Sequence, residues 1–137
     1  MSDPQLKLLG GSAALLAMLS VLIGAFAAHG LKSIVDASAI ETIKTAVHYQ
    51  FMHSVSVLVI LAFSMSTQFA TLQRWLKAAV IAMLLGCLLF SGSLYALALT
   101  KMAFFGPITP LGGIAFVIGW ACLIYAFMQL GNKNECP

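Results

Sequence analysis

The sequence predicts an all-α integral membrane protein in which four transmembrane helices form an up-down bundle. Charged residues make up only 8% of the 137 residues, and the mean hydropathy is +1.01. Four runs contain no Asp, Glu, Lys or Arg, and each is longer than the roughly 20 apolar residues that a helix needs to cross about 30 Å of hydrocarbon. These runs are Leu8–Leu31, Thr45–Gln73, Ala78–Thr100 and Met102–Asn132. We therefore expect residues 1–137 to be a single transmembrane domain.

The first predicted span covers about residues 8–28. Lys7 precedes it, and Ala25-Phe26-Ala27 has the A-x-A form of a signal-peptidase site. Because the apolar stretch is longer than the 7–15 residues typical of a signal core, we expect it to be retained as a span. Gly30 is predicted to end this helix in a left-handed conformation.

Residues 38–50 are predicted to be an amphipathic helix at the membrane interface that leads into the second span, about residues 51–69. Ser38-Ala39-Ile40-Glu41 has the spacing of a capping box, which starts a helix. The apolar residues that follow recur at helical spacing. They are Ile40, Ile43, Val47 and Phe51.

The third and fourth predicted spans cover about residues 78–100 and 110–130. Thr109 and Pro110 supply an N-cap and a first-turn proline for the fourth span. Small residues recur along three spans and would let helix backbones approach closely, either within one chain or between copies of it. The predicted helix-packing residues are Ser20, Gly24, Ala28, Ala78, Ala82, Gly86, Ala115 and Gly119.

Orientation follows from the Lys and Arg residues on each side of the membrane. An even number of spans places four of them on the side of the termini and three on the other. Under the positive-inside rule, this distribution predicts that both termini are cytoplasmic. The first group is Lys7, Arg74, Lys77 and Lys133, and the second is Lys32, Lys44 and Lys101.

The same topology gathers the three histidines, and most polar residues at membrane depth, in one half of the bilayer. Polar groups there are costly and often mark a site. Each also has a structural explanation, because polar tips reach to the interface and hydroxyls bond to helix carbonyls. The candidate polar site comprises His53, Ser91, Ser93, Tyr95, His29, Gln50, Lys101 and Thr109.

Four segments of the chain carry a family resemblance. They are Gly24-Ala25-Phe26-Ala27-Ala28-His29-Gly30-Leu31-Lys32, Tyr49-Gln50-Phe51-Met52-His53, Leu89-Phe90-Ser91-Gly92-Ser93-Leu94-Tyr95 and Gly106-Pro107-Ile108-Thr109-Pro110-Leu111-Gly112-Gly113. In this order they resemble the signature blocks of the membrane family called domain of unknown function 423, which is similar to the animal transmembrane protein 256. Ala27 stands where the family pattern has a glycine. The resemblance implies a four-span bundle in a bacterial inner or mitochondrial membrane, of which we favour the bacterial inner membrane, and it brings no established activity.

The sequence excludes several kinds of site. Its spans contain no acidic residue for a proton relay or sodium site, and no metal-ligand spacing or nucleophile–base pair occurs. Haem ligation by His29 and His53 has no other support. The three cysteines are predicted to be reduced structural thiols, and they are Cys87, Cys122 and Cys136. We expect no enzyme activity, no cofactor and no nucleic-acid partner.

Two functional hypotheses remain open. The first is a non-enzymatic accessory or assembly component of a membrane complex, which the small-residue stripes and the absence of a catalytic set favour. The second is an oligomeric permease or channel for a small neutral or weakly charged solute, which the polar cluster favours. In both cases the expected surroundings are the lipid bilayer and either a membrane-protein complex or further copies of the chain.

Overall fold

The computed structural model describes residues 1–131, apart from the side chain of Lys32. Within that range the chain forms helices joined by short 3₁₀ turns, and a π-helical turn, Cys87–Ser91, joins the third helix to the fourth. The helices are α1 (Asp3–His29), α2 (Ala37–Ser64), α3 (Gln73–Gly86), α4 (Gly92–Thr100) and α5 (Ile108–Gly131). Four helical segments are long and apolar enough to span a membrane, with α3, the π turn and α4 together forming one of them. The predicted four-span all-α class is confirmed.

Contacts at the two ends of the bundle show that successive spans alternate in direction. At one end, Asp36 before α2 pairs with Lys101 after α4, at 2.8 Å between Oδ2 and Nζ. At the other end, the amino group of Met1 donates to Gln73 Oε1 at 3.0 Å, and Gln73 Nε2 donates to the Ser64 carbonyl at 2.6 Å. We call the first end the histidine face and the second the terminal face.

Helix α2 lies at the centre of the bundle. It packs against α1 on one side and against α3, the π turn and α4 on another, while α5 packs mainly against α3. In the most apolar 18-residue window of each span, 39% of the α2 residues are buried but only 11% of the α1 residues. The first span is therefore peripheral and is held mainly by α2.

The interior consists of two apolar clusters with a polar layer between them. The cluster near the terminal face includes Val57 and Met83, and the cluster near the histidine face includes Ile43 and Ala98. Along the first three spans, buried polar residues lie between these positions. They are Ser20 on α1, Gln50, His53 and Ser54 on α2, Ser91 at the end of the π turn and Ser93 on α4.

Glycines allow α5 to approach the third span closely. A Cβ added at Gly119 would lie 2.8 Å from Met83 Cγ, and one added at Gly86 would lie 2.6 Å from Phe116 Cε1. At Gly112 the obstacle is backbone, because an added Cβ would lie 2.7 Å from the Phe90 Cα. A side chain can rotate away, but the main chain of a packed helix cannot.

The other predicted packing positions differ in how deeply they are buried. Ser20 is fully buried, and a Cβ added at Gly24 would lie 3.2 Å from Val47 Cγ1 on α2. The remaining small residues are only half-buried, and they are Ala28, Ala78, Ala82 and Ala115.

The helix starts and ends differ from the prediction at several positions. Asp36 rather than Ser38 caps α2, because its Oδ1 accepts the Ala39 N–H at 2.8 Å. Gly30 is right-handed, with φ −84°, and its missing side chain instead makes room for the Phe26 ring. Helix α5 begins at Ile108, so Thr109 lies inside the helix that it was predicted to cap.

The predicted segment 38–50 continues into the second span without a break, as one helix that ends at Ser64. A 3₁₀ segment, Thr67–Leu72, then carries the chain toward α3 where the prediction extended the span to residue 69. An interfacial position for residues 38–50 stays a prediction. Cys136 and Lys133 lie outside the described residues.

A π turn requires an extra residue within a helix and is frequent at functional positions. Here it ends at Ser91, whose hydroxyl donates to the Ala46 carbonyl of α2 at 2.9 Å. The same turn contains Phe90, whose backbone faces Gly112. The local widening of the helix thus accompanies close contacts with both α2 and α5.

We expect Gly112→Ala to destabilise the protein by about 1–3 kcal/mol, the usual cost of overpacking a well-filled interior. The matched control is Gly92→Ala, since a Cβ there meets nothing within 4 Å; its effect should stay within about 0.5 kcal/mol. Unfolding by sodium dodecyl sulfate in mixed micelles measures both. Equal stabilities of the two variants would contradict the close approach at Gly112.

Candidate functional site

The structure does not bring the predicted polar residues together into one site. It divides them into separate hydrogen-bonded groups, most of which join two helices. His53 in particular does not meet the hydroxyls of Ser91 and Ser93, which bond to other partners. Whether any of these residues has a functional role stays a prediction.

Gln50 joins three helices within the membrane. Its side-chain amide Nε2 donates to the Leu16 carbonyl of α1 at 2.7 Å, and its Oε1 accepts the Tyr95 hydroxyl of α4 at 2.9 Å. The side chain is only 4% exposed. Its backbone carbonyl also faces the Cys87 thiol, with 3.9 Å between sulfur and oxygen. Both ends of the amide are thus used in contacts between helices.

The imidazole of His53 is enclosed by bonding partners. Its Nδ1 lies 2.8 Å from the Tyr49 carbonyl, and because a carbonyl only accepts, Nδ1 carries the proton. The other ring nitrogen, Nε2, accepts the indole N–H of Trp120 at 3.3 Å. The ring stacks on Phe116 with 3.6 Å between centroids. This set of partners fits the neutral imidazole and uses both ring nitrogens.

The predicted hydroxyl residues bond locally or across one helix contact. Ser93 lies 2.7 Å from the Thr109 hydroxyl at the start of α5 and donates to the Phe90 carbonyl at 3.0 Å. Ser91 bonds to α2, as described above. Within residues 1–131, Ser54 has the one fully buried side-chain oxygen or nitrogen for which no hydrogen-bond partner is found.

His29 and Lys101 lie at the histidine face. His29 is exposed at the end of α1. Lys101 ends α4 in a left-handed conformation, with φ 57°, and its N–H bonds to the Leu97 carbonyl at 2.8 Å. The hydrogen bond from its ammonium group lowers the pKa of Asp36, and the carboxylate in turn raises the pKa of Lys101. This exposed pair connects the start of α2 to the end of the third span.

Several residues of these arrangements were not predicted. Trp120, Phe116 and Asp36 supply the partners of His53 and Lys101, and Ser54 lies buried one residue beyond His53. The sequence offered one usable signal, because Asp36 precedes an amphipathic stretch and aspartate is a preferred N-cap. Trp120 and Phe116 lie in a run that is apolar on every side, where periodicity does not identify the inner face.

The hydrogen bonds of these polar side chains lie within the bundle itself. Among residues 1–131, no group of three or more His, Cys, Asp or Glu side chains is placed to hold a metal ion. Cys87 is buried and Cys122 half-buried, and both are free thiols. The predicted polar residues inside the membrane bond to one another, to indole or to helix carbonyls. Such bonds hold helices together where no hydrophobic effect drives their association.

The Gln50–Tyr95 bond should be measurable as a coupling energy. In a double-mutant cycle with Gln50→Leu and Tyr95→Phe, we expect a coupling of about 0.6 kcal/mol, the average for hydrogen bonds between membrane helices, and no more than about 1.7 kcal/mol. Ser56→Ala in place of Gln50→Leu is the control, because the Ser56 hydroxyl donates to the Met52 carbonyl of its own helix and should show no coupling to Tyr95. Unfolding in mixed micelles gives the four free energies. Strictly additive losses would exclude the bond.

Comparison with known proteins identifies the family. The model of the family described as protein of unknown function (DUF423) matches residues 23–113. A UPF0382 membrane protein of Haemophilus influenzae is 43% identical over 105 residues, which are 77% of this chain and 81% of the relative. A UPF0382 membrane protein of Staphylococcus aureus is 39% identical over 119 residues, 87% of this chain and 93% of the relative. The UPF0382 inner membrane protein YgdD of Escherichia coli K12 is 35% identical over 122 residues, 89% and 90% of the two chains.

No solved structure matches the chain. The relatives carry no description of an activity, so they add a location and a family but no chemistry. The family match and the extent of these similarities agree with the four-span architecture described above. The chain belongs to the DUF423 family of membrane proteins of unknown function.

Proposed function

We propose that this protein is a non-enzymatic accessory or assembly component of a membrane-protein complex in the bacterial inner membrane. The observation that carries the proposal is the position of α1, which packs mainly against α2 and has 11% of its most apolar window buried. The bacterial relatives, one of them named an inner membrane protein, support the location. The internal pairing of the polar side chains supports a structural role.

The exposed side of α1 has the pattern of a helix-packing surface. Leu8, Leu15 and Leu22 recur every seven residues and are 70%, 51% and 57% exposed. Gly11 lies between the first two on the same side, and a Cβ added there meets nothing within 4 Å. Rows with this spacing fit between the side chains of a neighbouring helix. We call Leu8, Leu15 and Leu22 the leucine row and propose that it contacts a subunit of the complex.

An oligomeric permease receives less support. In the part of the chain that the structure describes, the polar residues predicted to line a path are already bonded to partners inside the bundle. A solute would have to displace those bonds. A permease would therefore need a path formed between copies of the chain.

The test is affinity purification of the tagged full chain from its native membrane in mild detergent, followed by native mass spectrometry. The accessory proposal predicts that foreign membrane subunits are present in the particle. In the double variant Leu15→Ala/Leu22→Ala, the amount of these subunits that copurifies should fall by tenfold or more. The control is Leu88→Ala/Leu99→Ala, which truncates two leucines of similar exposure, 60% each. A homo-oligomer with no foreign subunit would overturn the proposal and favour the permease.

We also propose that both termini are cytoplasmic. Arg74 and Lys77 lie in the first turns of α3 at the terminal face, and basic residues close to the end of a span are a determinant of orientation under the positive-inside rule. We expect a reporter that is active only in the cytoplasm to be active when fused after residue 131, and a cysteine at position 74 to be protected from an impermeant reagent in intact cells. Labelling of that cysteine from outside the cell would contradict this orientation and show that the termini face the opposite side.

A further inference from the structure

A groove of about 300 Å³ lies between α1 and α2 on the outside of the bundle. Two small residues of α1 make room for it: Ser20 turns its hydroxyl onto the Ala17 carbonyl at 2.7 Å, and Gly24 has no side chain. The apolar walls are Val21, Val47 and Phe51. In a membrane, such a groove is filled by an acyl chain, because water there would lack hydrogen-bonding partners.

The ammonium group of Lys44 makes one end of the groove cationic. Lys44 and His48, one helical turn apart on α2, line it on the side nearer the histidine face. Phe51 follows Lys44 by seven residues on the same helix, which is about 10 Å at 1.5 Å per residue. If residues 38–50 lie at the membrane interface as predicted, the groove runs from the level of the lipid headgroups into the hydrocarbon. Its polar end faces the headgroups and its apolar end faces the tails.

Lys44 has free capacity for an anion. Its ammonium group is within 2.7 Å of Glu41 Oε1, but both side chains are largely exposed, at 57% and 71%. An ammonium group has three N–H donors, so the contact with Glu41 leaves two for phosphate oxygens. By contrast, Lys101 on the same face is held by Asp36, which also caps α2. Lys44 is thus the lysine that borders an apolar groove at headgroup level.

We propose that this groove is a binding site for one anionic glycerophospholipid. An acyl chain lies between Val21, Val47 and Phe51, and the headgroup phosphate accepts hydrogen bonds from Lys44 and His48. The apolar part of the groove fits an acyl chain, and its cationic end fits an anionic headgroup. A phospholipid has both parts, whereas free phosphate has only the anion. The site is independent of the proposed accessory role, because the leucine row does not line this groove.

Native mass spectrometry of the full chain tests the proposal, with phosphatidylglycerol and phosphatidylcholine of the same acyl chains added at equal concentration. We expect one phosphatidylglycerol to be retained per chain, at least fivefold in preference to phosphatidylcholine. Lys44→Gln should abolish that preference. Lys7→Gln, which removes an exposed lysine at the terminal face, is the matched control and should keep it.

A second variant tests the apolar part of the site. Val21 is 59% exposed, so Val21→Phe can fill the groove without entering the packed interior, and we expect it to lower retention of both lipids at unchanged melting temperature. Equal retention of the two lipids by the unmodified chain would overturn the proposal. Equal loss of the preference in Lys44→Gln and Lys7→Gln would also overturn it, since general surface charge would then explain the binding.

Discussion

The bundle depends on one buried amide in the membrane interior, that of Gln50. In lipid, apolar surfaces gain little by meeting one another, so helices associate through close packing and through hydrogen bonds between them. Gln50 is the side chain whose two ends bond to two different helices, to Leu16 on α1 and to Tyr95 on α4. The central helix α2 thereby holds the peripheral first span and the third span in one register. The two apolar clusters on either side of this layer add contact area, but apolar contacts specify register only weakly.

Close packing without side chains is the second constraint. Gly112 lets α5 approach the backbone of Phe90 in the π turn, and Phe116, one turn further along α5, then reaches the His53 ring. Trp120 follows after one more turn and donates to the same imidazole. The glycine contact and the enclosure of His53 are consequently parts of one arrangement. A shift of α5 at Gly112 would move both aromatic partners of the histidine.

The fold class could be predicted from the sequence because bilayer thickness sets the length of a span, and the charge-free runs are long enough to count four of them. The side-chain partners could not be predicted in the same way. Each span is apolar on every side, so a helical period does not identify the inner face. Trp120 lies 67 residues from His53, and no local pattern links the two. The π turn at Cys87–Ser91 has no sequence signature either, apart from the glycine and serines that follow or end it.

The first span carries different residue types on opposite sides, which connects its packing to its proposed roles. Ala13, Ser20 and Ala27 recur every seven residues and are buried. Leu8, Leu15 and Leu22 have the same spacing but are displaced by two positions, about 200° around a helix of 3.6 residues per turn. Small residues thus face α2, and large residues face outward. Between these sides lie Val21 and Gly24 at the lipid groove.

The first span is therefore well suited to connect this small bundle to a neighbouring membrane protein. One of its sides bonds to its own bundle, a second is open to lipid, and the third carries the leucine row. Because α1 is held mainly by α2, the Gln50 bond to Leu16 would also determine how firmly that neighbour is held.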